Sequence, residues 1–463
     1  APGTRSTPPR SEPTPVSERT LMRLTLAFVL LGVLARVAIA CYLGDVVDAP
    51  PLLTDQRSYH ALGERLLGGH GYSFAYRWYP FTPANTPTAH WSFLYPLFVA
   101  AVYGVFGAHP LAARLAQSVL GGLLLPWLAW RLAARLVRTE GAPPSAWRHV
   151  PYVAAICAAG YAYFALYAAT LMTETAYIAA LLWSLERAML IGVRLRAGER
   201  VPWTTTTQFG LSLGLATLLR QSFLPWVPVL FLWLLWQTRR RLSIRALRPL
   251  LLAGVLLLLS IAPWTLRNQR VYGHFLLLNS NTGYAMYSAQ HPMHGYRFDE
   301  FAAAPLPDDL AGRNEAEWDS DLLRRGICFV LDEPQRYLAL CLSRVRAFVE
   351  FWPTPGASTI NNIGSVLSFG LFLPFMLYGL ALALCRSSAA AGAFDRPSRN
   401  LLLLFMATYS FVTIMTWAMV RYRLPVDAVA LLFAALALVD LGERLARRLR
   451  GAPHRPTRRG GTT

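Results

Sequence analysis

The stretch PLLLAGVLLLLSIAPWTL occupies residues 249–266, with Arg245 and Arg248 before it and Arg267, Asn268 and Arg270 after it. A charge-free run of this kind matches the roughly 20 apolar residues that a helix needs to cross a bilayer. Further apolar runs lie at about 22–43, 111–130, 150–169, 174–193, 204–219, 222–237, 364–385, 400–420 and 424–442. The chain of 463 residues is 54% hydrophobic and only 15% charged, whereas about a quarter of the residues of a soluble domain are charged. Together these features predict an all-α integral membrane protein, a multi-span helical bundle of about ten spans.

Charge then orients the bundle. The formal charge is +19 and the chain contains no Lys, so every basic residue is Arg. The excess sits in loops and tails rather than on a folded basic face, which points to membrane topology and away from a nucleic-acid partner. If the ten runs alternate, the Arg-dense loops 131–149, 194–203, 238–248 and 386–399 fall on the side of both termini, as the positive-inside rule requires. Counting the apolar stretch 92–107 as a further span would reverse every later loop. It therefore reads as a short re-entrant or interfacial helix on the outer side.

The organisation that follows has basic, disordered cytoplasmic tails at 1–20 and 443–463 and a membrane module at 21–266 with its first outer loop at 44–110. A second outer segment spans 267–363, with amphipathic helical sequence around 315–351 broken near Pro334, and the C-terminal spans occupy 364–442. The five Cys form no zinc or disulfide spacing.

The span interiors are almost free of charge, whereas ion pathways and proton relays need ionisable groups at depth. Polar residues gather instead at the outer ends of spans: Asp55, Glu174, Arg220, Arg267, Asn268, Arg421 and Arg423. Asp55 opens a helical pattern continued by Tyr59, Leu62 and Leu66, where a plain N-cap would contribute about 1 kcal/mol. Arg220 splits the otherwise uncharged stretch 203–238, which predicts a hairpin with Arg220 and Gln221 at its turn, since a charge at the bilayer centre costs several kcal/mol. Glu174 starts a span, where a helix N-terminus favours an anion. The HPMH sequence at 291–294 is too short a signal for a metal site.

The order of Asp55 and Tyr59, GHGY at 69–72, Pro87, YPLF at 95–98, Phe106-Gly107 and ARL at 113–115 resembles the first outer loop of the GT-C glycosyltransferases of the protein O-mannosyltransferase and aminoarabinose-transferase type, glycosyltransferase family 39. TET at 173–175, PWTLRN at 263–268 followed by GHF and NSNTG, and RYRLP at 421–425 continue the resemblance in the family's order. It implies a GT-C bundle that moves a sugar from a polyprenyl-phosphate donor to an acceptor hydroxyl, with inversion, at the outer face. By that resemblance Asp55 is the catalytic base. Arg220, Arg267, Arg421 and Arg423 are expected to hold the donor phosphate, because forked guanidinium donors suit phosphate. Tyr59, His60 and Asn268 are expected to bind substrate.

Glu174 is a candidate second carboxylate, alone or sharing a divalent metal with Asp55. The Asp55-Gln56 sequence departs from the Asp-Glu pair of the mannosyltransferases, which points away from protein mannosylation. The expected partners are a polyprenyl-phosphate-linked sugar, membrane lipid and a glycan, lipid or protein acceptor chosen by 267–363. The expected location is a bacterial inner membrane with the site facing the periplasm. The rival reading is a lipid-linked-sugar flippase or transporter, which calls for charges deep in several spans or repeat symmetry, and the sequence shows neither.

Overall fold

A computed structural model describes residues 18–47, 53–78, 80, 82–137, 145–239, 244–299, 302–354, 359–385 and 394–451. In chain order the α-helices are α1 (Glu18–Leu43), α2 (Leu53–Leu67), α3 (Leu94–Phe106), α4 (Pro110–Leu136), α5 (Val150–Gly160), α6 (Ala162–Ala168), α7 (Glu174–Ala197), α8 (Trp203–Leu219) and α9 (Trp226–Thr238). They continue with α10 (Ile244–Tyr272), α11 (Thr282–Gln290), α12 (Glu315–Asp332), α13 (Pro334–Val349), α14 (Thr359–Ser365), α15 (Leu371–Leu384), α16 (Arg396–Met415) and α17 (Val420–Gly451). Among the described residues β-structure is confined to three isolated bridges.

Among the described residues seven helical stretches are long and apolar enough to cross a membrane: α1, α4, α7, α10, the continuous run Thr359–Leu384, α16 and α17. An eighth is formed if the pair Trp147–Gly160 and Ala162–Ala168, bent by 55°, counts as one span. The chain is an integral membrane protein. The remaining two apolar runs form α8 and α9, with 17 and 13 residues, which fall short of a full crossing. They make the hairpin that Arg220 demands. The end of α8 comes back to Glu174 through Arg220, while Trp233 and Gln237 of α9 lie against Gly192 and Arg196 at the far end of α7. Helix α3 has 13 residues, about 20 Å of helix at 1.5 Å per residue, so it is too short to cross. It packs on α2, where Gly63 leaves room for Val99.

Helices α7 and α17 are buried along most of their apolar length, whereas α1 and α10 turn most of theirs outward. The two central helices therefore begin, in their first turns, with Glu174 and Arg421. Helix α15 lies tight against α17: a Cβ on Gly379 would come within 1.7 Å of the Phe433 carbonyl oxygen. At the break between α5 and α6 the carbonyls of Ala158 and Ala159 accept hydrogen bonds from Arg36, which is fully buried in α1. This charge within the first span closes a helix end.

The tails expected at the chain ends lie outside the described residues except at their inner edges. Where a tail is expected from 443, α17 runs on through Gly451. Leu, Ala, Arg and Glu are strong helix formers, and the ion pairs Asp440–Arg444 and Glu443–Arg447 add i,i+4 support.

The segment after α10 is tied to the first outer loop by Glu315. This buried carboxylate accepts from the Thr82 hydroxyl at 2.6 Å, the Ala89 backbone N–H at 2.8 Å and the Ser280 hydroxyl at 2.9 Å. One turn later Asp319 accepts from the Gly283 N–H at 2.6 Å, and α11 packs so closely here that a Cβ on Gly283 would strike the Asp319 backbone. Burial, with the Glu315 charge adding, pushes the Asp319 carboxyl up to about 6 from an ordinary 3.8.

A raised carboxyl binds its proton more tightly in the folded than in the unfolded state. Its stabilisation is thus complete below the unfolded pKa and is lost as pH rises toward 6. The loss amounts to about 3 kcal/mol, at 1.36 kcal/mol per pKa unit. Thermal midpoints of the wild type minus those of Asp319→Asn are expected to fall between pH 4 and pH 6.5 and to be flat above. A difference independent of pH would show that Asp319 ionises normally.

Candidate active site

Arg114, fully buried in α4, organises the entry to the site. Its guanidinium donates to the carbonyls of Leu43, Gly44 and Val46 and, at 2.8 Å, to the side-chain oxygen of Gln56. The same oxygen accepts from the Leu171 backbone N–H at 3.3 Å. The end of α1, the start of α2 and the approach to α7 are thus held on one guanidinium. Buried carbonyls and a buried Arg satisfy one another in this way, and Asp55, the neighbour of Gln56 in the first turn of α2, is placed by it.

Asp55 forms an ion pair with Arg421 through Oδ2 and Nη1. Glu174 forms one with Arg220 through Oε1 and Nη2, and Arg220 Nε donates to the Thr173 hydroxyl at 3.0 Å. The two pairs are joined by Tyr422, whose ring centroid lies 5.1 Å from the Arg421 guanidinium carbon and 5.3 Å from that of Arg220. Cation–π attraction acts at these distances. Tyr59, one turn beyond Asp55 on the same face of α2, is buried edge-on to Tyr95 at 4.8 Å and Trp91 at 5.8 Å. Burial raises its hydroxyl pKa; the charges of Asp55 and Glu174 raise it further, while Arg220 and Arg421 oppose. Tyr59 therefore stands in the field of all four.

Two carboxylates and two guanidiniums leave the cluster close to neutral, yet its bonding is incomplete. Glu174 Oε2, Arg421 Nε and Trp91 Nε1 are buried without a hydrogen-bond partner among the described residues. Orphaned polar atoms of this kind are uncommon and mark places where a ligand can supply the missing bond.

The other candidates lie apart. Arg423 is two residues from Arg421, about 200° around the helix at 3.6 residues per turn. It faces the opposite way, pairing with Asp427 and donating to the Phe348 and Glu350 carbonyls. Arg267 donates to Asn268 Oδ1 at 3.0 Å and lies 5.7 Å from the Tyr272 ring. The Asn268 amide donates to the carbonyls of Leu276 and Leu278, which closes the turn after α10. His60 is rotated off the Asp55 face toward the Tyr103 hydroxyl, at 2.8 Å, and Glu64. The expectation of four converging arginines thus reduces to the neighbouring pair Arg220 and Arg421.

Among the described residues no group of three or more His, Cys, Asp or Glu converges, and Asp55 and Glu174 are each already matched by an arginine. Tyr422 and Trp91 are members of the site that the sequence reading did not single out, and Gln56, noted there only as a departure from the Asp-Glu pair, is the Arg114 ligand that places Asp55. For Tyr422 the signal was available, since it lies between the two arginines of RYRLP.

No protein-family model matches the chain, and no curated protein sequence matches it. Solved structures do. The chain is similar to the archaeal oligosaccharyltransferase AglB from Archaeoglobus fulgidus, solved with an inhibitory peptide and a dolichol-phosphate, at 12% identity and a TM-score of 0.50 over 96% of this chain and 53% of that one. ArnT from Cupriavidus metallidurans bound to undecaprenyl phosphate gives 13% identity and a TM-score of 0.49 over 94% of this chain and 63% of that one. The chain spans about half the length of the oligosaccharyltransferase. At 12% identity the likeness carries the fold alone, a multi-span helical membrane bundle of the class expected from the sequence.

Proposed function

We propose that the chain is an inverting glycosyltransferase that moves a sugar from a polyprenyl-phosphate donor to an acceptor hydroxyl at the membrane face bearing 44–110 and 267–363. The observation that carries this reading is the meeting of Asp55–Arg421 and Glu174–Arg220 at the entrance of the two central helices. The dolichol-phosphate in the oligosaccharyltransferase of the same fold supports a lipid-phosphate ligand.

The chemistry needs little more. The acceptor oxygen bonds to the anomeric carbon, the bond from that carbon to the phosphate oxygen breaks, and the acceptor's proton passes to Asp55. The polyprenyl phosphate leaves as an anion, so it requires positive charge rather than a strong acid. Arg421 and Arg220 supply that charge, and Tyr59 and Trp91 line the approach. Acceptor choice belongs to the 267–363 segment, which Glu315 couples to the first outer loop.

The test is transfer by the purified chain in lipid discs. The expected products are free polyprenyl phosphate and an acceptor bearing the sugar with inverted anomeric configuration, and transfer is expected to survive chelation of divalent metals. Movement of the lipid-linked sugar across vesicles without transfer would favour a flippase instead.

Orientation is tested separately, in a background whose natural cysteines are replaced. Ser145→Cys and Ser243→Cys are expected to resist an impermeant thiol reagent added from the periplasmic side, while Asp308→Cys reacts. Labelling of Ser243→Cys from that side would reverse the topology and with it the face of the site.

A further inference from the structure

Inversion requires the acceptor to enter opposite the departing phosphate, so the base and the phosphate-binding arginines belong on opposite sides of the sugar. In the structure Asp55 is bound to Arg421 itself. Engaged there, Asp55 stands on the phosphate-binding side of the sugar instead of opposite it. We infer that Asp55 occupies the donor phosphate's place on Arg421, and that the arriving phosphate takes the arginine and releases Asp55 as the free base. This exchange rests on the glycosyltransferase reading of the site.

Three features favour the exchange at this pair. The first is accessibility: the Asp55 side chain is 21% exposed, while that of Glu174 is 2% exposed. Asp55 can swing aside without opening the core, and Glu174 cannot. The second is the state of the Arg421 fork. Among the described residues Nη1 meets Asp55, Nη2 reaches the adjoining Tyr422 hydroxyl at 3.4 Å, and Nε is buried without a partner. A phosphate can accept two parallel N–H bonds from one guanidinium, so it completes a fork that the carboxylate leaves unfinished. The third is support. Tyr422 lies beside both guanidiniums, and Glu174 keeps Arg220 paired when Asp55 departs.

Charge accounting agrees. The four groups sum to zero with both pairs made. A donor phosphodiester adds one negative charge, which takes the arginine that Asp55 vacates and leaves one unpaired carboxylate, the base. The exchange also confers selectivity. A free carboxylate ligand offers Arg421 no more than the tethered Asp55 already does, whereas a forked phosphate does. Asp55 thereby sets which anion is admitted, in addition to acting on the acceptor.

Binding of farnesyl phosphate to the full chain in lipid discs tests this. Removing the competing carboxylate in Asp55→Asn and in Asp55→Ala is expected to tighten binding by about three- to tenfold, tenfold corresponding to 1.4 kcal/mol. Arg421→Gln is expected to weaken it about tenfold or more, the scale of one charge-assisted bond. Asp440→Asn, at the ion pair with Arg444 on the far end of α17, is expected to leave it unchanged. Asp55 variants that bind no tighter than wild type, while Arg421→Gln still weakens binding, would overturn the exchange and leave the glycosyltransferase reading intact. Absence of binding, or binding indifferent to Arg421, would overturn that reading and the exchange with it.

Discussion

Asp55→Asn is expected to lower sugar transfer by about 10²- to 10⁴-fold, the range that a positioned general base contributes. The variant should leave the thermal midpoint nearly unchanged, because Asn caps a helix start about as well as Asp. It keeps the size of the side chain and can still accept a hydrogen bond from Arg421, but it cannot take the acceptor's proton. Donor binding does not weaken, so the whole loss appears in turnover. A simple cap predicts a different order: Asn tolerated, with Asp55→Ala losing stability and activity together by about 1 kcal/mol. Transfer rates and thermal midpoints of the two variants side by side separate the two roles. Near-normal turnover in Asp55→Asn would move the search for a base to Glu174 or to the 267–363 segment.

Arg220→Ala is expected to destabilise the fold by about 3–5 kcal/mol, the cost of removing one partner from a buried ion pair. Glu174 is almost fully buried at the start of α7 and has one oxygen without a partner even in the wild type. Without Arg220 this buried charge loses its ion-pair partner. Arg220→Ala/Glu174→Ala should recover a large part of the lost stability, since no lone charge then remains buried. The double variant should not recover phosphate binding, because the donor's cation is gone. Denaturant midpoints and farnesyl phosphate affinity, measured on all three variants, distinguish a structural pair from one that also serves the ligand. Recovery of both quantities in the double variant would make Arg220 a purely structural residue.

How much of this site the linear chain revealed can be traced residue by residue. The apolar runs foretold where helices form, because desolvating a charge in a bilayer is costly at any position along the chain and needs no knowledge of partners. The same cost located the Arg220 turn, and the first-turn positions of Asp55 and Glu174 are local features of helix starts. Membership of the bundle, the hairpin at 203–238 and the candidate base were therefore open to a reader of the sequence.

Tertiary structure decided the pairing. Arg421 and Arg423 are the same residue type two positions apart, and only the packing of α17 determines that one faces Asp55 while the other is spent on Asp427 and the end of α13. Asn268 and Arg267 stand in a motif that resembles a functional one, yet the turn after α10 takes up the Asn268 amide and holds Arg267 beside it. Arg114 and Gln56 meet across 58 positions, and Asp55 meets Arg421 across 366. Helix and span signals come from each segment's own chemistry, which the sequence by itself determined. The two arginines selected by the site, and the carboxylate that each holds, follow from contacts that exist only after the chain has closed, and these only the fold could decide.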